Sequence, residues 1–241
     1  MKIKFQNIYL FFYFFLFTTV YCQNVLIEYD NESNGKFYKN ELILNDTISL
    51  WKYKNDDKTA NDYNQSNQFI YKNYNKNTIY NSDGIFNQNF FVKDTLNNLT
   101  WELTSETKNI LEQKCHSATT IFRGRKYQAF YCISIRYSNG PWKFGGLPGL
   151  ILEIKSTDNI YKYSASKIIL NTKRNIEIDN IFKNDFITRE EFVKKFIEGF
   201  DNYIKKIKTS GVIEDGAELN IKIVSPEIIY PKVQGGDGVK I

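Results

Sequence analysis

Residues 115–135 read CHSATTIFRGRKYQAFYCISI, and this stretch decides the fold. Two runs rich in β-branched and aromatic residues, 117–123 and 126–135, flank a turn at Gly124. Such residues fit a pleated, half-buried surface, and glycine supplies the positive φ that a tight hairpin turn needs. The stretch reads as an antiparallel hairpin. With a two-residue loop at Arg123-Gly124, Cys115 falls directly opposite Cys132. Cross-strand Cβ atoms lie about 4.5–5.5 Å apart, close to what a bridge requires. The pair Cys115 and Cys132 is therefore a disulfide candidate, and a slip of one or two residues in register would separate them.

Working outward, 25–29, 37–44 and 47–53 have strand composition, with a turn at 32–35. A polar tract at 54–68 carries no apolar periodicity and reads as an exposed loop. Phe69 and Ile70 resume the apolar pattern, and 85–93 reads as a further strand. Leu99, Trp101 and Leu103 alternate with polar residues, which assigns them one inward face. Beyond a Gly/Pro-rich stretch at 140–149, the segments 150–155 and 160–170 form a second hairpin turned at 156–159. Thr188-Arg189-Glu190-Glu191 has capping-box form. Phe192, Phe196, Phe200, Tyr203, Ile204 and Ile207 then recur at helical spacing. Lys205, Lys206 and Lys208 sit where the helix dipole favours cations. Many short antiparallel strands followed by one amphipathic helix imply an α+β fold. The expected form is a curved β-meander, or half-barrel, with the C-terminal helix packed on it; a closed barrel is the alternative. Residues 23–234 make one domain, and the Gly-rich end, 235–241, is expected to be flexible.

The N-terminus points to export. Lys2 and Lys4 precede an apolar run over 8–20, which suits the core of a secretory signal. A membrane span would need about 20 residues to cross roughly 30 Å of hydrocarbon. Cleavage after Cys22 would leave Gln23 as the new N-terminus and 1–22 as the signal peptide. An exported chain meets an oxidising environment, which favours the disulfide candidate. The net charge of the chain is +5. It is small and mixed in sign along the sequence, which argues against a nucleic-acid surface. No later segment is long and apolar enough to span a bilayer, so no stable membrane span is expected after signal cleavage.

The most informative motif is NGPWKFGGLPGLI, residues 139–151. Leu147-Pro148-Gly149-Leu150 has the composition of a type II turn, with proline fixing φ and glycine accepting a positive φ. Gly145-Gly146 permits a further tight bend. On these residues the stretch is a rigid corner leading into a strand. The six residues from Gly146 through Leu147, Pro148, Gly149 and Leu150 to Ile151 resemble the signature of the GLPGLI family, exported proteins of Bacteroidetes bacteria. Gly140, Pro141, Trp142, Lys143 and Phe144 resemble the same pattern, as do Cys115 with Ala118, Phe122-Arg123-Gly124-Arg125 and Tyr127. The resemblance implies export and membership, and no biochemical activity. Phe130 and Cys132 depart from it, so the disulfide candidate belongs to this chain and not to the family. The motif can serve as a structural corner or as a binding surface.

Catalytic signals are sparse. His116 is the single histidine, so any Ser-His or Cys-His arrangement must use it. On a strand its side chain points away from that of Cys115. Common zinc sites need several His or Cys ligands, and no phosphate or dinucleotide loop is visible. No cofactor is implied. Asp30, Glu32, Asn34 and Glu41, with Gly35, have the spacing of a calcium loop, but strand-like flanks make an ordinary hairpin turn the stronger reading. The expected function is a non-enzymatic binding or carrier module of the cell envelope, periplasmic or secreted. Its partner would be an apolar small molecule. An assembly role with an envelope protein, using exposed Trp142 and Phe144, is the alternative. A carboxylate-based hydrolase stands third and requires two acids converging in a cleft.

Overall fold

The computed structural model describes residues 24–54, 68–85, 88–96, 99–210, 220–222, 225–229, 232–233 and 236–240. The expected signal peptide and nearly all of the 54–68 tract lie outside the described residues. The first six strands are β1 (Asn24–Ser33), β2 (Lys36–Leu44), β3 (Ile48–Tyr53), β4 (Phe69–Asn73), β5 (Thr78–Ile85) and β6 (Gln88–Thr95). Five more follow: β7 (Glu102–Ile110), β8 (Gln113–Phe122), β9 (Arg125–Cys132), β10 (Leu150–Ser156) and β11 (Tyr161–Thr172). A short strand β12 (Phe186–Thr188) leads into the helix α1 (Arg189–Thr209), and β13 (Asn220–Lys222), β14 (Lys232–Val233) and β15 (Gly236–Lys240) close the chain.

β1 to β12 form one sheet of twelve strands in the order β12-β6-β5-β4-β3-β2-β1-β11-β10-β9-β8-β7. It is two meanders joined at β1 and β11. Every neighbouring pair is antiparallel except β12 with β6. The sheet is curved and open, which corrects the closed-barrel alternative. Its two ends meet through side chains, not a ladder: Arg123 in the β8–β9 turn pairs with Asp94 on β6. Two-residue turns make the β1–β2 and β8–β9 hairpins. Asn34 and Gly35 both have positive φ, as do Arg123 and Gly124, the pattern of a type I′ turn matched to strand twist.

Alternation along the strands sorts the core into two faces. Ile27, Tyr29, Leu42, Leu44, Trp51 and Ile70 point inward and meet Ala118, Phe122 and Ile154 of the second meander. Leu26, Ile43, Leu50 and Tyr71 point outward and are covered by Ile181, with Ile176 and Ile178, in the segment after β11. Burial on both sides explains why Asn40 to Leu44 are all buried although they include a polar pair. Each fully buried Leu or Ile here contributes about 1.5–3 kcal/mol.

α1 starts as expected. The Thr188 hydroxyl accepts from the Glu191 N–H (3.2 Å) and the Glu191 carboxylate accepts from the Thr188 N–H (2.8 Å). The helix covers less than expected. Phe192 packs with Ile85, Val92 and Phe90 at the β6 end of the inner face, whereas Tyr203 is exposed. The β9–β10 connection takes part of the inner face instead, with Phe144 and Leu147 in the core. Two further expectations are corrected. The segment 85–93 is the end of one strand and most of the next, with Ile85 paired to Gln88. Leu103 is exposed because β7 is an edge strand beside a register shift. Within 235–241, β15 pairs with both β13 and β14.

Candidate functional site

The β9–β10 connection, residues 133–149, folds into the hollow of the sheet. Phe144 and Leu147 enter the core, and the Phe144 ring lies 4.7 Å from that of Tyr127. Trp142 is half-buried edge-on against Phe122, 5.5 Å between ring centres. Pro141 accepts from the Phe144 N–H (3.1 Å), closing a tight turn in which Trp142 takes a positive φ. The turn at 147–150 differs from the expected type II form. Gly149 does not have a positive φ; its N–H donates back to the Leu147 carbonyl at 2.8 Å, a three-residue turn around Pro148. Glycine is required there for space, since a Cβ would lie 2.2 Å from the Cys132 carbonyl oxygen. At Gly140 a Cβ would lie 2.8 Å from that of Ile151. The positive φ falls at Gly146, which is exposed. Leu150 and Ile151 open β10, and the Tyr29 hydroxyl donates to the Ile151 carbonyl at 2.6 Å. The motif is a structural corner in all but Trp142 and Lys143.

Two buried ions anchor this connection. Lys72 of β4 reaches inward and donates to the Phe144 carbonyl (2.6 Å), the Asn139 side-chain oxygen (3.0 Å) and the Gly140 carbonyl (3.2 Å). Burial pulls its ammonium down from 10.5 to about 7. On the far side Lys143 donates to Glu227 at 2.6 Å, and Glu227 also pairs with Arg123 (2.7 Å) and Arg189. Burial alone would raise the Glu227 carboxyl, but Lys143, Arg123 and Arg189 outweigh it and hold it at about 2. The segment 225–229 is fastened further by Tyr127 and Arg125, which donate to the Pro226 and Ser225 carbonyls at 2.8 and 3.0 Å.

Two cavities flank the connection. One, of about 330 Å³, lies beside Lys72, Arg136, Asn139 and Gly145. The other, of about 300 Å³, lies on the inner face, with walls that include Trp51, Tyr53, Trp142, Tyr161, Tyr163 and Phe196. Its charged wall residues are Asp83, Lys143 and Glu227, and Lys143 contacts both acids, at 3.9 and 2.6 Å. Asn31 and Asn81 also line it. Both are buried, and the side-chain oxygen of each has no hydrogen-bond partner among the described residues. A buried acceptor left unpaired costs about 1–3 kcal/mol, so two in one cavity wall call for an explanation.

The other sequence candidates do not assemble into a site. The β8–β9 hairpin has the expected register, with His116 opposite Tyr131 and Phe122 opposite Arg125. Cys115 and Cys132 are both buried, unbridged thiols in this structure. Cys115 Sγ is directed at the Gln113 carbonyl (3.5 Å) and Cys132 Sγ at Ser134 Oγ (2.8 Å). Burial, then the neighbouring Cys132, pushes the Cys115 thiol up to about 12. His116 is half-buried beside the Tyr131 ring. Asp30, Glu32, Asn34 and Glu41 are spread over the β1–β2 hairpin, and Glu41 is taken by Arg174 and Lys52. Among the described residues no cluster of three or more His, Cys, Asp or Glu is placed to hold a metal ion.

Lys72, Asn31, Asn81 and Glu227 were not singled out from sequence. Three of them carried a signal: each is a polar residue at an inward position of an alternating strand, after Ile70, Tyr29 and Ile79 respectively. Glu227 carried none.

No protein-family model matches the chain, and no curated protein does. Among solved structures it is similar to PNGF-II in its P21 and C2 crystal forms, with TM-scores of 0.54 and 0.52 and identities of 18% and 17%. The alignments cover 83% of this chain and 35% of that one, so the chain spans about a third of PNGF-II, and the likeness is one of fold. MucB in complex with MucA(peri) aligns over 64% of this chain and 53% of that one, with a TM-score of 0.36 and 8% identity, too remote to carry an argument. No helix among the described residues is long and apolar enough to cross a membrane.

Proposed function

We propose that this chain is an exported, non-enzymatic binding module of the cell envelope, akin to the GLPGLI proteins, that holds a small ligand on its inner face. The observation that carries this reading is the 300 Å³ cavity on the inner face, whose walls include Trp51, Trp142 and Tyr163. Ligand pockets are typically concave and largely aromatic, with a few placed polar groups. The family assignment rests on residues 146–151 and their context, and export rests on residues 1–22. Native mass spectrometry of the protein purified gently after export tests the reading. A non-covalent extra mass that vanishes on denaturation is expected. A bare mass, unchanged when a lysate of the producing organism is added, counts against it.

A carboxylate-based hydrolase is the second reading, favoured by Asp83 and Glu227 meeting at Lys143 in this cavity. Glu227 is engaged by three cations, which leaves it a weak base or nucleophile, and for that reason the hydrolase ranks second. Turnover of a ligand found by mass spectrometry, abolished in Asp83→Asn, would reverse the ranking. The assembly-partner alternative, which called for exposed Trp142 and Phe144, keeps only the half-buried Trp142, because Phe144 is buried in the core.

A further inference from the structure

Cys115 and Cys132 are placed as partners. The register that sets His116 opposite Tyr131 sets Cys115 opposite Cys132 one residue further along, and both cysteines lie within their strands. Directly opposed residues of an antiparallel pair point to the same face, with Cβ atoms about 4.5–5.5 Å apart. Gln113 gathers the two thiols: its carbonyl accepts from Cys115 at 3.5 Å and its side-chain oxygen from Cys132 at 3.8 Å. The Cys132 thiol also stands close enough to Cys115 to share a hydrogen bond with it.

The same fold shuts the pair away. Each cysteine is 0% exposed. A further strand closes over each of them, with Lys108 of β7 opposite Cys115 and Leu150 of β10 opposite Cys132. Thiol–disulfide exchange proceeds through the thiolate and needs access to the sulfur. With Cys115 held at about 12, about one molecule in 10⁵ carries its thiolate at pH 7, against about one in 30 for an ordinary cysteine. Oxidation therefore belongs to the interval before β7 and β10 cover the hairpin.

We propose that Cys115 and Cys132 are joined by a disulfide while the exported chain folds, and that the finished fold seals this bridge from exchange with solvent. One cysteine, as its thiolate, attacks an external disulfide and releases one of its sulfurs as a thiol. The second cysteine then attacks the mixed disulfide and releases the other. One S–S bond forms in the chain as one breaks outside it, and the two cysteine protons pass to the released thiols. The bridge staples the open end of the β8–β9 hairpin, opposite its Arg123-Gly124 turn, at the residue from which the β9–β10 connection departs. It depends on export, read from residues 1–22, and is independent of what the inner cavity holds.

The test uses the full chain with Cys22→Ala, so that only this pair is counted, and oxidised glutathione as the probe. In urea the reduced chain should become lighter by two hydrogens and take up no iodoacetamide. On dilution the bridged chain should refold and melt about 5 °C or more above the reduced one. A reduced chain allowed to fold first should keep both thiols, oxidising at least about 100-fold more slowly than the unfolded chain. A folded chain that oxidises as fast as the unfolded one overturns the sealed bridge. A bridged chain that does not refold, or melts no higher, shows that the opposed pair does not accept the bond and overturns it too. Protein collected after export whose two thiols both take up iodoacetamide in urea overturns the proposal and leaves the binding-module reading standing. A bare native mass removes that reading and leaves the bridge standing.

Discussion

Lys72 and Glu227 are both buried ions that hold the β9–β10 connection, yet their surroundings are opposite. Lys72 is met by two backbone carbonyls and an amide oxygen, all neutral. Glu227 is met by Lys143, Arg123 and Arg189. The lysine ties the connection to the first meander, and the glutamate ties it to the β8–β9 turn, to the start of α1 and to the segment 225–229. An ion among neutral dipoles bears its desolvation nearly alone. An ion among counter-charges is stabilised as an ion, at the cost of making three cations depend on one carboxylate.

The comparison breaks most completely if the shared target of both anchors is removed. Gly149→Ala, with its Cβ placed 2.2 Å from the Cys132 carbonyl oxygen, should prevent native folding, read as loss of the cooperative urea transition. Glu227→Gln comes next: it leaves three cations under-compensated and should cost about 3–5 kcal/mol, measured by the same denaturation. Lys72→Met should cost less, about 2 kcal/mol, because the loss of two carbonyl partners is partly offset by no longer burying a charge. Equal losses for these two variants would erase the distinction between the anchors. Gly146→Ala, at a positive φ but with no neighbour nearer than 3.6 Å, should cost only about 1 kcal/mol.

The two ions also separate by pH. The Glu227 carboxyl falls from 4.5 to about 2 on folding. Its contribution is therefore complete above pH 4.5 and is lost as pH falls toward 2. The Lys72 ammonium falls from 10.5 to about 7. The unfolded chain then binds the extra proton between these values, so stability rises as pH climbs from 7 toward 10.5. Thermal melts of Glu227→Gln should lose the acid-side slope alone, and those of Lys72→Met the alkaline-side slope alone.

Much of the fold was legible because local chemistry and tertiary structure agree. The Arg123-Gly124 hairpin, the Thr188 capping box and the hairpin of β10 and β11 were each written in a few adjacent residues. What escaped was set by distant contacts. Gly149 looked like a positive-φ glycine and is instead a glycine of close approach, which depends on a carbonyl seventeen positions earlier in the chain. The aromatic stripe of α1 suggested full coverage of the sheet, but the inner face was already occupied by Phe144 and Leu147. The site was the least legible part. Asn31, Asn81 and Lys72 showed only as polar residues out of phase with their strands, and Glu227 acquires its meaning from three cations brought together by folding.

The account stands on the inner cavity being a ligand site, and a crystal structure of the protein purified gently after export tests that most directly. It should show a bound small molecule among Trp51, Trp142 and Tyr163. A cavity holding only water would contradict it.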